Sequence, residues 1–386
     1  MEFKTVKLSD VVSVLGDGIH GTPKYTENGE YYFINGNNLS EGKIIIKQDT
    51  KRVDLEEYKK YKKELNERTL LVSINGTLGN VAVYNNEKCI LGKSACYFNI
   101  KENVNKEFIK YILYSKEFQK YIQEYATGTT IKNMSLKAMR EYEFKLPEIN
   151  IQNKIACILS NIDKKIELNN QINDNLSNMC NIVFHNYIDK YSEQIEYTKI
   201  IDIADRVITG KTPSTKNEEF WNGDIPFITI PDMHNQVFTI DTERTISKVG
   251  AKSLIPKNSI SVSCIATVGL VSISTEESQT NQQINSIVLK NDYDLYYLFE
   301  FLSEQESFMK NIAGGSTTYN INKKTFENIE VPYLPQNIVQ EFHNTVCKLF
   351  DKIKLNQLEN KNLEQLRDTL LPKLMNGEID LDKIEI

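Results

Sequence analysis

The sequence predicts a mixed α/β protein built as a tandem repeat, in which a globular domain followed by a long helix occurs twice. Residues Ile151 to Tyr187 show the three-and-four spacing of apolar residues that is typical of a helix burying one stripe. Part of this helix, Lys165 to Leu176, matches Lys352 to Leu363 at seven of twelve positions. A strand-turn-strand segment also recurs, because Val72 to Val81 and Val262 to Val271 share five of ten residues. The offsets of 187 and 190 residues define the repeat.

The first long helix contains no proline or glycine, so nothing in the sequence ends it early. At about 1.5 Å per residue it would reach roughly 55 Å. Its apolar stripe contains Asn169, and the second helix carries Asn356 at the matching position. A polar residue inside such a stripe fixes the register of paired helices at some cost in stability. We therefore expect the two helices to pair as a coiled coil, with Asn169 and Asn356 setting the register.

The remaining elements also occur once in each half. Short apolar stretches broken by Gly and Asn predict short strands joined by tight turns. The segment from Phe108 to Ile122 has the spacing of an amphipathic helix, and Leu295 to Leu302 answers it in the second half. A loop rich in Gly, Thr and Ser then follows at Ala126 to Met134 and at Ala313 to Ile321. The predicted order is a globular domain at residues 1–149, a helix at 150–192, a second globular domain at 193–335 and a helix with its tail at 336–386.

Composition leaves the binding partner open. The chain has 386 residues, which suffice for two or three hydrophobic cores, and a net charge of -6. This charge argues against a wholly basic DNA binder, although nucleic-acid binding needs only a locally basic groove. No run approaches the roughly 18 apolar residues of a membrane span, and the first ten residues lack the apolar core of a signal peptide. We expect a cytoplasmic protein that makes no contact with a membrane.

Catalytic and metal-binding patterns are absent from the sequence. The six cysteines form no CxxC pair, and the four histidines are scattered singly, so we expect neither disulfides nor a metal site. A base methyltransferase needs a Gly-rich cofactor loop and an Asn/Asp-Pro-Pro-aromatic motif, yet no Pro-Pro pair occurs. The Walker A, HExxH and GxSxG motifs are missing as well. The chain is therefore predicted to be non-catalytic and to bind no cofactor of its own.

With both repeats laid out, the chain resembles the DNA-specificity subunit of Type I restriction-modification systems over essentially its whole length. The segment Glu219 to Met233, EFWNGDIPFITIPDM, is similar to that family's Trp-Asn-Gly-x-Ile-Pro-aromatic opening. The run TNQQIN at Thr280 to Asn285 is similar to its Asn-Gln-Gln signature, and LLPKLMNGEI at Leu370 to Ile379 to the end of its second spacer helix. The first half departs from the pattern, with KYTENGEYYFI at the opening and Lys93-Ser94-Ala95 in place of Asn-Gln-Gln.

The resemblance implies a reader of DNA. Each globular unit would be a target recognition domain for one part of a bipartite sequence in double-stranded DNA. The two helices would pack antiparallel, space the domains and dock two copies of an adenine methyltransferase subunit. Two restriction-motor subunits would join in the full complex, and AdoMet, ATP and Mg²⁺ would belong to these partners.

Candidate DNA contacts follow from side-chain chemistry and position in the repeat. Polar side chains on the two Gly-Thr/Ser loops can reach phosphates and base edges: Thr129, Thr130, Lys132 and Asn133 in the first half, and Ser316, Thr317, Tyr319 and Asn320 in the second. Asn and Gln pair well with adenine, and Arg and Lys with guanine. On this ground the candidates also include Lys24, Arg52, Lys211, Asn281 and Gln282.

Two questions stay open at the level of sequence. The basic run YKKYKK, from Tyr58 to Lys63, is either a solvated helix face or a phosphate contact. The chain could also serve a solitary adenine-methylation system without a nuclease, act as a scaffold through its coiled coil, or be an enzyme whose active site carries no known motif. The target bases and the spacer length depend on loop geometry and DNA shape, so residue types alone do not give them.

Overall fold

The chain divides into two units, and each contains segments of both long helices. The computed structural model describes residues 3–40, 42–128, 132–314, 318–379 and 381. Unit 1 comprises residues 1–164 and 365–386, and unit 2 comprises residues 165–364. Each unit therefore contains one of the predicted globular segments together with parts of both long helices. The four predicted segment boundaries remain a prediction, because this grouping divides the chain inside the helices.

Unit 1 is built from short strands, short helices and the ends of two long helices. Its strands are β1 (Phe3–Lys7), β2 (Val12–Asp17), β3 (Tyr31–Ile34), β4 (Leu39–Ser40), β5 (Lys43–Ile44), β6 (Arg52–Val53), β7 (Thr69–Ser73), β8 (Val81–Val83), β9 (Cys89–Leu91), β10 (Ala95–Ile100) and β11 (Glu143–Pro147). Its helices are α1 (Leu8–Val11), α2 (Leu55–Tyr61), α3 (Lys106–Tyr114), α4 (Lys116–Tyr125), α5 (Leu136–Glu141) and the first turns of α6 (Ile149–Lys190).

Unit 2 repeats this sequence of elements. Its strands are β12 (Glu196–Lys199), β13 (Ala204–Thr209), β14 (Trp221–Ile228), β15 (Phe238–Thr239), β16 (Arg244–Ile246), β17 (Leu254–Ile255), β18 (Ile260–Ser263), β19 (Val271–Ser274), β20 (Ser278–Thr280), β21 (Ile284–Leu289) and β22 (Glu330–Tyr333). Its helices are α7 (Ile200–Ile203), α8 (Ile230–Met233), α9 (Asp294–Ser303), α10 (Glu306–Ile312), α11 (Lys323–Glu327) and most of α12 (Gln336–Met375).

The two units share their sheet topology, which confirms the predicted repeat of a mixed α/β domain. In unit 1 the main sheet has the order β2-β10-β7-β8, and in unit 2 it has the order β13-β21-β18-β19-β15. A smaller sheet is ordered β6-β3-β9 in unit 1 and β16-β14-β20-β17 in unit 2, with a parallel pair in each. The opening strand of each unit pairs with its closing strand, β1 with β11 and β12 with β22.

The predicted strand-turn-strand is present in both units, as β7 with β8 and β18 with β19. The predicted single helix from Phe108 to Ile122 is wrong in one respect, because it is broken at Ser115 into α3 and α4. The Ser115 side chain accepts a hydrogen bond from the backbone N–H of Phe118 and so caps the start of α4. Serine at such a cap offsets the loss of helical hydrogen bonds at the break.

The long helices are longer than their apolar stripes predicted, and each serves two cores. The first turns of α6 place Ile155 and Leu159 in the main core of unit 1. Its last turns place Cys180 and Phe184 in the main core of unit 2. Helix α12 does the reverse: residues from Ile338 to Ile353 pack in unit 2, whereas Leu371, Leu374 and Met375 pack in unit 1.

Within unit 2 the two helices run antiparallel and share a layer of amides. Asn169 and Asn356 are fully buried, as is typical of positions inside a helix seam. The Asn169 amide nitrogen donates to Glu359 and to Asn360, at 2.9 Å in both cases. The Asn356 amide nitrogen donates to Asn173 at 2.8 Å. These hydrogen bonds satisfy the two amide nitrogens, whereas Oδ1 of Asn169 and Oδ1 of Asn356 are buried without a hydrogen-bond partner among the described residues. That Asn169 and Asn356 set the register stays a prediction.

Within unit 1 the helices are joined by an ion pair instead. The Arg367 guanidinium donates to Asp163 at 3.0 Å, and the Tyr111 hydroxyl donates to the same carboxylate at 2.5 Å. Burial and this hydrogen bond raise the pKa of Tyr111 far above its ordinary value, so the hydroxyl stays a donor. The contact ties α6, α12 and α3 together beside the core.

A buried carboxylate lies where α6 packs against α9 in unit 2. Burial raises the pKa of Glu300 to about 7, because the charged form is poorly solvated there. The Asn181 amide faces it at 3.4 Å, and the same amide donates to Glu304 at 2.7 Å. His185 completes the cluster with a 2.8 Å contact to Glu304.

The end of α12 gives a first test, because Leu374 is 2% exposed and Leu366, two turns earlier, is 48% exposed. We expect Leu374→Ala to lower the free energy of unfolding by about 2–5 kcal/mol, since it opens a cavity in the core of unit 1. Leu366→Ala is the matched control and should change it by less than about 0.5 kcal/mol. Urea denaturation followed by circular dichroism measures both. Equal effects of the two variants would contradict the packing of α12 into unit 1.

Glu300 gives a second test, through the pH dependence of stability. Its pKa of about 7 in the folded chain exceeds the ordinary value of 4.5 expected after unfolding. Between these values the folded state holds a proton that the unfolded chain has lost, so stability falls as pH rises through this window. Glu300→Gln removes the ionisation and should therefore stabilise the protein at pH 8 relative to pH 5, by roughly 2 kcal/mol.

The control for this test is Glu304→Gln, which changes a neighbouring carboxylate of opposite behaviour. Burial acts to raise the pKa of Glu304, but the hydrogen bonds from Asn181 and His185 outweigh it and lower that pKa. This variant should show no gain at pH 8. Thermal unfolding of both variants at the two pH values distinguishes them, and a pH-independent effect of Glu300→Gln would refute the assignment.

Candidate nucleic-acid interface

In each unit the predicted contact loop lies beside the turn that follows a central strand, at Ile74 in unit 1 and at Cys264 in unit 2. In unit 1 the backbone N–H of Ile74 donates to Ser94, and the N–H of Met134 donates to Ile74. In unit 2 the N–H of Cys264 donates to Gln283, and the N–H of Ile321 donates to Cys264. Equivalent backbone hydrogen bonds therefore join three segments in each unit: the turn, the segment at Ser94 or Gln283, and the Gly-Thr/Ser loop.

The Gly-Thr/Ser loops are closed by matching backbone pairs. Thr127 and Asn133 exchange hydrogen bonds at 2.9 and 2.8 Å, and Gly314 and Asn320 exchange theirs at 3.0 Å. Lys132, Asn133, Tyr319 and Asn320 are all exposed. The other four loop candidates, Thr129, Thr130, Ser316 and Thr317, lie outside the described residues.

Side chains also hold parts of these loops in place. The Asn75 amide donates to the Asn133 side chain at 3.2 Å, which links the loop of unit 1 to the turn after β7. The Lys132 ammonium reaches Gln123 on α4 at 3.3 Å. In unit 2 the backbone carbonyl of Tyr319 accepts from Ala266, whose φ of 65° lies in the left-handed region. The Tyr319 ring is left 45% exposed and so is available to a ligand.

A second group of candidates meets beside β20 and β13 in unit 2. The Thr212 hydroxyl donates to the side-chain oxygen of Gln282, and the Gln279 amide donates to the Lys211 carbonyl at 2.7 Å. Gln282 and the Lys211 side chain are exposed, so both can contact a partner.

Asn281 behaves differently from its neighbours. It is buried, its Oδ1 accepts from the backbone of Gln283 at 2.9 Å, and its amide donates to the Gln283 side chain at 3.1 Å. The residue thus forms a local turn of the kind that asparagine favours. Among the candidates, Asn281 is the one for which the geometry supports base contact least.

A glycine allows the close approach of backbones at this site. A Cβ on Gly210 would lie 2.1 Å from the carbonyl oxygen of Asn281, and a Cβ on Gly18 would lie 2.0 Å from that of Leu91. Gly18 and Gly210 follow β2 and β13 directly, so they hold equivalent places in the two units. Any side chain there would push the contact loop off the sheet.

In unit 1 the candidates Lys24 and Arg52 lie near one another. The N–H of Thr26 donates to the Arg52 carbonyl at 3.0 Å, and the N–H of Lys24 donates to Glu57 at 2.9 Å. The Arg52 guanidinium lies over the Tyr32 ring, 5.1 Å from its centroid. The basic run falls on α2 next to them, with Lys59 and Lys60 exposed. The structure describes no contact between this group and the Gly-Thr loop of unit 1.

One pair was missed by sequence reasoning. In unit 2 the Arg244 guanidinium stacks on Trp221, 3.5 Å from the ring centroid. Trp221 was noticed only as part of the opening EFWNGDIPF, and Arg244 was not a candidate. A signal was present, since Arg244 begins a short strand in the region where unit 1 carries Arg52.

Other chemistry finds little support in the part of the chain that the structure describes. No group of three or more His, Cys, Asp and Glu side chains there could hold a metal ion. All six cysteines are free, and burial raises the pKa of Cys89 and of Cys264 to about 12, so neither is a ready nucleophile at neutral pH. No helix within the described ranges has the length and apolarity that crossing a membrane requires.

Comparison with known proteins places this geometry in a family. The profile of the Type I restriction modification DNA specificity domain matches residues 1–178 and again residues 192–366. The HindI specificity subunit of a Type I restriction enzyme from Haemophilus influenzae is 32% identical over 371 residues, covering 74% of this chain and 81% of that protein. The MjaIX specificity subunit from Methanocaldococcus jannaschii is 25% identical over 394 residues, covering 94% of this chain and 87% of that protein.

A solved structure shows the same fold. The crystal structure of the Type I restriction-modification S subunit from M. genitalium matches with a TM-score of 0.59, covering 97% of this chain and 96% of that chain. Its sequence identity is 19%, so this likeness speaks to the fold alone. Since the family profile matches both repeats and a specificity subunit shares 32% of its residues over most of both chains, this protein belongs to the family of Type I restriction-modification DNA-specificity subunits.

Proposed function

We propose that the two units read the two halves of a bipartite DNA target and that the chain itself performs no chemistry. The observation that carries this proposal is the repeated loop framework, in which equivalent backbone hydrogen bonds close an equivalent loop in each unit. Asn133 and Asn320 correspond and are the same residue type, whereas Lys132 in unit 1 corresponds to Tyr319 in unit 2. Equal scaffolds with unequal contact residues suit the recognition of two different sequences.

In this proposal the catalytic work belongs to partner subunits. Two copies of an adenine methyltransferase subunit would bring AdoMet, and restriction-motor subunits would bring ATP and Mg²⁺. The relatives are specificity subunits of Type I restriction enzymes, which supports this division of labour. Double-stranded DNA and these subunits would meet the chain in the cytoplasm.

The long helices offer a docking surface that the coiled-coil seam does not use. On α6, Leu168, Met179 and Ile182 are 50%, 50% and 59% exposed. With Ile172 and Asn175 between them they follow the alternating four-and-three spacing of a heptad seam. A second apolar seam on an already paired helix has the form that accepts another amphipathic helix. We assign this surface to a helix of the methyltransferase subunit.

Part of this pattern recurs in the sequence of α12. At the repeat offset of 187 residues, Leu168 corresponds to Leu355 and Met179 to Leu366. Leu355 and Leu366 are 60% and 48% exposed, as their counterparts are. Asn175 and Asn362 also correspond, but Glu359 and Thr369 stand in place of Ile172 and Ile182, so α12 does not repeat the full apolar stripe of α6.

The seam on α6 gives a test of partner binding. Leu168→Lys with Met179→Lys should remove one methyltransferase copy, because the change places charges in an apolar contact. Light scattering on co-purified complexes measures the stoichiometry. The control is Asp174→Lys, an exposed residue that lies roughly 120° or more around α6 from Leu168 and Met179, at 3.6 residues per turn. Retention of both copies by the double variant would exclude this seam as the docking site.

The loops give a test of recognition, made on the chain co-expressed with its methyltransferase subunit. Long-read sequencing of cellular DNA should reveal methylated adenines in one bipartite motif. Tyr319→Ala with Asn320→Ala should lower sequence discrimination in the unit 2 half-site only. Lys132→Ala with Asn133→Ala should lower it in the unit 1 half-site only, so each double variant serves as the control for the other. Each lost base contact should weaken discrimination by about 1–3 kcal/mol.

A methyl-transfer assay on the purified chain tests the non-catalytic role. Without the methyltransferase subunit, the chain should transfer no methyl group from AdoMet to DNA. Methyl transfer by the chain alone would reveal an active site without a known motif. Variants that alter both half-sites at once would instead show that the units do not read separately.

A further inference from the structure

The six arginines of the chain divide into two groups by the use of their guanidinium groups. Arg68 donates to the carbonyls of Ile100, Lys101 and Val104, and Arg140 donates to the carbonyl of Leu15. Arg206 pairs with Asp205, and Arg367 pairs with Asp163 and Asp368. Only Arg52 and Arg244 make no ion pair or side-chain hydrogen bond within the described part of the chain.

These two arginines share a place in the fold and a mode of support. Arg52 is on β6 and Arg244 is on β16, the edge strands of the two smaller sheets. Each strand pairs antiparallel with the strand that runs parallel to β9 or β20, so the two are equivalent. Each guanidinium lies over an aromatic ring, Tyr32 in unit 1 and Trp221 in unit 2. Both arginines are exposed.

The pair in unit 2 is the better braced of the two. The Trp221 ring packs edge-on against the buried Phe227, with ring centroids 5.2 Å apart. Its indole N–H donates to the carbonyl of Ser214 at 3.1 Å, which ties the ring to the loop that also carries Lys211. The indole is thus fixed on two sides and presents a face to Arg244.

Stacking holds a guanidinium without using its hydrogen bonds. Its attraction to the ring acts through the face of the cation, whereas the five N–H groups point outward in its plane. A stacked arginine on an edge strand therefore presents its planar set of N–H donors, here called the fork, to a ligand in a fixed orientation. Two parallel N–H groups of that fork match the O6 and N7 acceptors of guanine in the major groove.

We propose that Arg244 reads a guanine in the half-site of unit 2 and that Trp221 is its positioning residue. The inference rests on the proposed reading of one half-site by each unit. The inference names the base that is read, the major groove as the place of contact and the ring that supports the arginine, none of which follows from the contact loops. A phosphate contact by Arg244 would be the competing role and has a different signature.

The test uses the complex of this chain with its methyltransferase subunit, in DNA binding and in methylated-site sequencing. Arg244→Lys keeps the positive charge but loses the fork, so discrimination at one guanine of the unit 2 half-site should fall roughly 5- to 150-fold. The salt dependence of binding should change little. Arg206→Gln is the matched control, because it removes a paired arginine from the same unit.

Trp221 is tested by substitution and by its own fluorescence. Trp221→Leu should weaken discrimination at the same guanine, and Trp221→Phe should restore part of it. Since Trp221 is the sole tryptophan of the chain, its emission in a complex with a Trp-free methyltransferase variant should respond to DNA carrying the guanine more than to DNA lacking it. The unit 1 half-site, read unchanged, shows that each variant is folded.

The outcomes separate the inference from the function on which it rests. If the wild-type complex methylates no bipartite motif, the proposed function fails. If it does, but the unit 2 half-site contains no guanine, or Arg244→Lys leaves discrimination unchanged, the inference alone fails. If Arg244→Gln weakens binding to all sequences equally and lowers the salt slope by about one, Arg244 contacts phosphate instead.

Discussion

The packing of each long helix into two cores is the constraint on which the rest of the structure depends. The main core of unit 1 contains Leu159 from α6 and Leu374 from α12, and that of unit 2 contains Phe184 and Phe342 from the same two helices. Neither globular segment therefore closes its own core. Because a buried leucine or phenylalanine contributes a few kcal/mol, the helices are fixed to the domains by the same free energy that folds them.

Within this frame the apolar and the polar residues of the helices have separate tasks. Apolar residues hold the helices to the domains, while Asn169 and Asn356 form buried hydrogen bonds between the two helices in unit 2. The exposed seam of Leu168 and Met179 belongs to neither task. If it binds the proposed partner helix, α6 is packed on two faces, one internal to the chain and one external.

The repeat and the long helices could be predicted from the sequence because the residue patterns that indicate them are local. Matching asparagines, strand-turn patterns and apolar spacing need no knowledge of distant contacts. The break at Ser115 was missed although serine is a frequent cap. For Asn281 the sequence allows either a local turn or a base contact, and the structure shows the turn. The stacking of Arg244 on Trp221 could not be predicted from the sequence. A register shift between Trp221 and Ile225 lets both oppose Ile246, so counting residues along β14 does not predict which faces meet.

The division of unit 1 into two stretches of sequence has a consequence for how the protein is made. Residues 1–164 leave the ribosome first, yet their unit also needs residues 365–386. At about 5–20 residues per second, the intervening residues take roughly 10–40 s to translate. Unit 2 is continuous and can fold as soon as it emerges, whereas the core of unit 1 also needs Leu371, Leu374 and Met375. The half that is synthesised first is therefore finished last, and during that interval its core lacks these three side chains.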